Sequence, residues 1–191
     1  MGGKLCSRRL EVLPITNRNH PDVTPLSQRA RLAIALHLFQ GFCDCCGITH
    51  PEIGRYLDHL WQFIGFCGDG GKSFEGWKKN EPPLTFAGLG DPLPAGFGDV
   101  LAAAGVSERT FRRALCFTTE VLYVSMYAAS DEERSRHFLY ELADIAEPLG
   151  VVWPDISRFA GSRWIDGHGW GNRLSAQELA TWRERDCAHK K

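Results

Sequence analysis

The chain has 191 residues, 43% of them hydrophobic and 24% charged, the balance of a globular protein with a packed core rather than of a disordered chain. Its 22 Lys and Arg against 23 Asp and Glu leave a net charge of -1, which excludes a global field that would draw it to nucleic acid or anionic lipid. Seven unevenly spaced cysteines are an odd number and do not form a disulfide framework. They read as thiols in a reducing compartment, and the expected localisation is cytoplasmic.

Residues 1–23 show no sustained hydrophobic period and read as an N-terminal tail or strap, with 24–191 as a single helical domain. The start, Met1-Gly2-Gly3-Lys4-Leu5-Cys6-Ser7, resembles a myristoylation signal but departs from it, because Cys6 stands where Ser or Thr is usual. Thr24-Pro25 predicts a helix opening there and running to about Cys46, with Gly47 as its stop and apolar residues on most sides. Cys43, Cys45, Cys46 and His50 are soft ligands in type. Their spacing is not that of a zinc site, so they are assigned to packing. Thr49 and Glu52 form a capping-box pattern before an amphipathic helix through Ile53, Leu57, Leu60, Trp61 and Ile64.

The stretch 65–95 is rich in Gly and Pro and is expected to be a long irregular loop, partly packed through Phe74, Trp77 and Phe86. Within it, Gly71-Lys72-Ser73 ends like a phosphate loop. The required first Gly is replaced by Phe66, no strand precedes the motif and no convincing helix follows it. A short helix over about 97–104 should stop at Gly105. Ser107 should cap a long central helix reaching about Ala129, and Ser130 with Glu133 should cap another, closed by Pro148 and Gly150. Val151-Val152-Trp153 is too short to count as more than an extended connection, and Ser175 with Glu178 predicts the last helix. The fold class is all-α, an irregular bundle of about five to six helices. The most hydrophobic stretch, 114–129, is too short and too polar to cross a bilayer.

Two segments carry candidate function. Residues 100–115, from Val100 through Gly105 and Ser107 to Leu115, resemble the helix-turn-helix of bacterial regulators over about 20 residues, with Gly in the turn and apolar residues beside it. The resemblance implies that Arg109, Thr110 and Arg113 would meet bases or phosphates and that Arg112 would hold the backbone. Segment 161–173 mixes glycines with Arg163, Trp164, Asp166, His168, Trp170 and Arg173. Such a loop presents rigid aromatic and charged groups to a ligand, and it equally serves as a structural plug. Asp166 two residues before His168 also suits a metal-dependent hydrolase. The expectation is a non-enzymatic interaction or regulatory protein that presents segment 161–173 and the 65–95 stretch to a protein partner, and DNA binding and hydrolysis are the alternatives. No catalytic residue, metal ligand set, cofactor or membrane association is expected.

Overall fold

The computed structural model describes residues 20–65, 72–124, 126 and 131–185. Among these residues the chain is all-α, with eight α-helices: α1 Gln28–Cys45, α2 Pro51–Gly65, α3 Lys72–Lys79, α4 Pro83–Gly88, α5 Phe97–Ala103, α6 Glu108–Tyr123, α7 Glu132–Ala146 and α8 Ala176–Arg183. No strand occurs among the described residues, where the one extended pairing is an isolated bridge between Leu26 and Arg163. No helix among them is long and apolar enough to cross a membrane.

The centre is α1. Of its 18 residues, 13 are buried, and it packs against α2, α6 and α7. Phe39 and Phe42 meet Phe111 of α6 at 5.9 and 6.5 Å between ring centroids, and Phe39 meets Tyr56 of α2 edge-on at 5.6 Å. Helix α6, expected at the centre, packs on α1, α4, α5 and α7, while its N-terminal part is exposed at Glu108, Arg109, Thr110 and Arg113. It also ends at Tyr123, short of the expected Ala129. The Val121 carbonyl, near that end, accepts from Gln28 Nε2 of α1 and from Ser135 Oγ of α7.

The first helix begins later than Thr24-Pro25 predicted. Those two residues form a turn whose carbonyls are already engaged, Thr24 by Arg31 Nη2 at 2.8 Å and Pro25 by the Trp164 N–H at 2.8 Å. Ser27 takes the cap and accepts from the Ala30 N–H at 3.2 Å. At α2 the expected Thr49 box gives way to His50, whose Nδ1 accepts from the Glu52 N–H at 3.2 Å, while Glu52 pairs with Arg55 at 2.6 Å. Asp131 caps α7 by accepting from the Arg134 N–H; Ser130, expected there, lies outside the described residues. The stops at Gly47 (φ +67°) and Gly105 (φ +66°) and the Ser175–Glu178 capping box are as expected.

The largest correction falls on 65–95, which is not one irregular loop. It contains α3 and α4, each too short to hold by propensity alone and each fixed by tertiary contacts. Trp77 of α3 is buried, stacks on His59 at 4.3 Å and donates from Nε1 to the His59 carbonyl at 2.7 Å. Gly88 of α4 lies so close to α6 that an added Cβ would stand 2.2 Å from Thr119 Oγ1. Gly68 to Gly71 of the phosphate-loop-like run lie outside the described residues. A helix does follow at Lys72, against expectation, and helix α2 precedes it. The N-terminal run with the myristoylation resemblance also lies outside the described residues.

Candidate functional site

Segment 161–173 is built as a set of tight turns. Asp166 N–H donates to the Arg163 carbonyl at 3.1 Å, and the Asp166 carbonyl accepts from Gly169 at 3.2 Å and Gly171 at 3.0 Å. Closing so many turns in so few residues requires left-handed backbone at Gly167 (φ +55°), Gly169 (φ +90°), Gly171 (φ +78°) and also at His168 (φ +55°, ψ +43°). His168 is the only described non-glycine residue in that region. A side chain there is disfavoured and persists where the surroundings over-determine the backbone.

Those surroundings come from the N-terminal end of α1. Ser27 N–H donates to the Ser162 carbonyl at 2.9 Å, and the two hydroxyls are 2.7 Å apart. Arg29 Nη1 donates to the carbonyls of Trp170 at 3.1 Å and Gly171 at 3.0 Å. Arg31 lies 4.6 Å over the ring of Trp164, and Trp170 packs on Phe63 of α2 at 5.6 Å. Trp164 and Trp170 therefore turn inward and fix the segment, whereas Arg163, Ile165, His168 and Arg173 are exposed, Ile165 by 77%. Ile165 was not singled out in the sequence. The available signal was a β-branched apolar residue inside a run of turn-forming ones.

Beside this segment opens a cleft of about 300 Å³. The 3-10 turn Ile156–Phe159 contributes Arg158, the segment contributes Ser162 and Arg173, and α8 contributes Thr181 and Trp182.

The other candidates are placed as follows. Asp166 sits with its carboxylate 3.5 Å from Arg163 Nε, and no hydrogen bond between its side chain and His168 is present among the described residues. No group of three or more His, Cys, Asp or Glu side chains able to hold a metal occurs among the described residues. Cys43 is buried, which pushes its thiol well up, while Cys45 is exposed and the His50 ring packs on Phe97 at 4.8 Å. On α6, Arg112 donates to Glu108 at 2.6 Å and to the Asp91 carbonyl at 2.9 Å. Arg113 faces Glu141 at 3.5 Å and the Phe117 ring at 5.5 Å. Thr110 shares a hydroxyl hydrogen bond of 2.8 Å with Ser107, and Arg109 is exposed.

Sequence reasoning missed Arg31. Its side chain is fully buried, and it donates to the carbonyls of Val23 (3.2 Å), Thr24 (2.8 Å) and Glu132 (2.9 Å) and to the Glu132 carboxylate (2.8 Å). Burial pulls its proton affinity down and the Glu132 carboxylate holds it up. No protein-family model, no curated protein and no solved structure matches this chain.

Proposed function

We propose that this protein is a protein-binding module whose contact surface is the 161–173 segment. The observation that carries the reading is the pairing of strain with exposure. A run of left-handed residues that includes His168 is fastened from beneath by Ser27, Arg29 and Arg31, and it holds Ile165 out to solvent. A scaffold that spends backbone strain on displaying an apolar side chain reduces the ordering cost of association, which favours binding without new contacts. The same segment exposes Arg163, two residues before Ile165, and Arg173, eight after it, so the apolar side chain stands among polar exposed groups.

The test is parallel affinity capture with wild type and Ile165→Asp, quantified by mass spectrometry, with circular dichroism and thermal unfolding matched between the two. The expected result is a partner recovered near stoichiometry with wild type and at least about tenfold depleted with the variant. Recovery of the same proteins by both would overturn the reading.

A second reading, DNA binding, is favoured by one observation. The turn at Gly105 and the Ser107 cap lead into a first turn of α6 that exposes Arg109 and Thr110, as the helix-turn-helix resemblance implies. Fluorescence anisotropy of random duplex DNA at about 50 and 200 mM salt tests it, since counterion release makes phosphate-mediated binding fall steeply between them. Flat anisotropy at both salts removes it.

A further inference from the structure

We infer that His20 is a positioning residue for the contact surface: seated against α7, it holds the strap 20–27, and the strap holds segment 161–173 in the form that presents Ile165. This inference rests on the reading of 161–173 as a contact surface and names what keeps that surface in shape.

The seat is built on both sides of the ring. His20 Nδ1 lies 3.1 Å from Glu147 Oε1 and Nε2 lies 3.1 Å from Asp144 Oδ1, so a carboxylate meets each nitrogen. Glu147 Oε1 also accepts from Trp153 Nε1 at 2.5 Å. The ring stacks on Tyr140 at 5.1 Å with 12° between the planes and packs on Trp153 at 5.8 Å, and only 6% of the side chain is exposed. Exposed ion pairs contribute little, whereas contacts to carboxylates that are shielded from water and fixed by ring packing hold better.

The strap carries that hold to the segment. Residues 20–27 belong to no helix, so their backbone groups take partners outside the strap. On the α7 side, the Pro21 carbonyl accepts from Tyr140 Oη at 3.2 Å, and Thr24 Oγ1 accepts from Arg136 Nη1 at 2.9 Å. On the other side, the Pro25 carbonyl accepts from the Trp164 N–H at 2.8 Å, Leu26 bridges to Arg163, and the Ser27 N–H donates to the Ser162 carbonyl at 2.9 Å. The first half of the strap is thus spent on α7 and the second on 162–164, a run that ends one residue before Ile165. Arg31 joins the two halves, donating to the Val23 and Thr24 carbonyls while it lies over Trp164. A strap that loses its seat at His20 therefore loosens the bonds at Ser27 and Trp164 on which the segment depends.

The experiment is amide hydrogen exchange followed by NMR on the intact chain, comparing wild type with His20→Phe. Phenylalanine keeps a ring against Tyr140 and Trp153 and removes both polar contacts. The amides read are Ser27 and Trp164, the donors that fasten strap to segment, with Leu60 of α2 and Leu115 of α6 as core references. We expect protection at Ser27 and Trp164 to fall at least about tenfold and the amide shifts of Ile165 and His168 to move, with the core references within about twofold of wild type. The inference falls if Ser27 and Trp164 keep their protection within about twofold. It falls equally if the core references drop in step with them, because His20 then serves the stability of the whole fold and positions nothing. Tyr140→Phe decides the matter where His20→Phe does not fold. It removes one hydrogen bond from the same end of the strap, so a loss of about threefold at Ser27 and Trp164 supports the inference and unchanged protection overturns it.

Failure here is separable from failure of the parent reading. A partner depleted by Ile165→Asp, with Trp164 unmoved in His20→Phe, leaves the contact surface standing and removes His20 from it. A segment loosened by His20→Phe, with no partner depleted by Ile165→Asp, leaves the coupling standing and removes the contact surface.

Discussion

Arg31 and Trp164, 133 positions apart in the chain, are in contact, the guanidinium carbon 4.6 Å over the indole. Four of the five N–H donors of that guanidinium are engaged by Val23, Thr24 and Glu132. One side chain therefore joins the entry to α1, the start of α7 and the base of the 161–173 segment.

Arg31→Met should destabilise the fold by roughly 2–4 kcal/mol, because it takes the donor from the buried Val23 carbonyl and from the partly buried Thr24 and Glu132 carbonyls and leaves the Glu132 carboxylate to Arg136. Arg31→Lys should recover only part of this, since an ammonium has no planar fork to reach all four acceptors and stacks less well on indole. Urea unfolding of the three proteins checks the order. Equal midpoints for wild type and lysine variant would show that charge alone, not the fork, is what the site needs.

Gly171 and Gly167 separate backbone strain from crowding. Both have positive φ, but a Cβ at Gly171 would stand 2.2 Å from Ser162 Oγ and 2.7 Å from Ser27 Oγ, whereas at Gly167 nothing lies within 4 Å. Gly167→Ala should cost about 1 kcal/mol, the usual left-handed penalty, and Gly171→Ala roughly 2 kcal/mol or more, since it also forces the serine pair apart. Thermal unfolding of both variants reads the difference, and equal losses would mean that the Ser27–Ser162 contact yields without cost.

How much of this was legible follows from how far each signal reaches. The Ser107 cap and the Ser175–Glu178 box were readable because donor and acceptor are three residues apart. The Gly47 and Gly105 stops were readable because only glycine takes positive φ without strain. α3 and α4 were not, because what holds them is Trp77 against His59 and Gly88 against Thr119, pairs that no local pattern encodes. Thr24 lost the first cap to Ser27 for the same reason, its carbonyl being claimed by Arg31. The 161–173 segment was visible by composition, but composition could not divide it into Trp164 and Trp170 turned inward and Ile165 and His168 turned outward.

The stability of the fold should fall on mild acidification through His59. Its ring is buried against Trp77 with no partner for Nε2 among the described residues, and burial pushes the imidazole from 6.5 down to about 4. The unfolded chain takes up this proton near pH 6.5, as free imidazole does, and the folded chain does not until about pH 4. Between those values the unfolded state binds more protons, so stability is lost as pH falls through the window, by roughly 2–3 kcal/mol at its lower end. Glu120, whose carboxyl burial pushes up, works in the opposite sense, so the comparison must be made against a variant. His59→Phe keeps the stack on Trp77 and removes the titration. Denaturant unfolding at pH 7 and pH 4.5 should show a smaller loss in the variant, and parallel losses would acquit His59.

The sharpest prediction concerns His168, because there stability and function should move in opposite directions. At φ +55° and ψ +43° a β-carbon is disfavoured and glycine is not, so His168→Gly should stabilise the fold by about 1 kcal/mol provided the exposed imidazole makes no contact that matters for folding. A side chain at a position where glycine would be more stable, between two residues that are themselves glycine, is the natural candidate for a contact outside the fold. His168→Gly should accordingly raise the unfolding midpoint while weakening capture of the partner, and His168→Ala, which retains the strain, should weaken capture without the gain. If His168→Gly is more stable and binds the partner as well as wild type, the imidazole is not part of the contact surface, and the surface narrows to Ile165 and the other exposed residues of the segment.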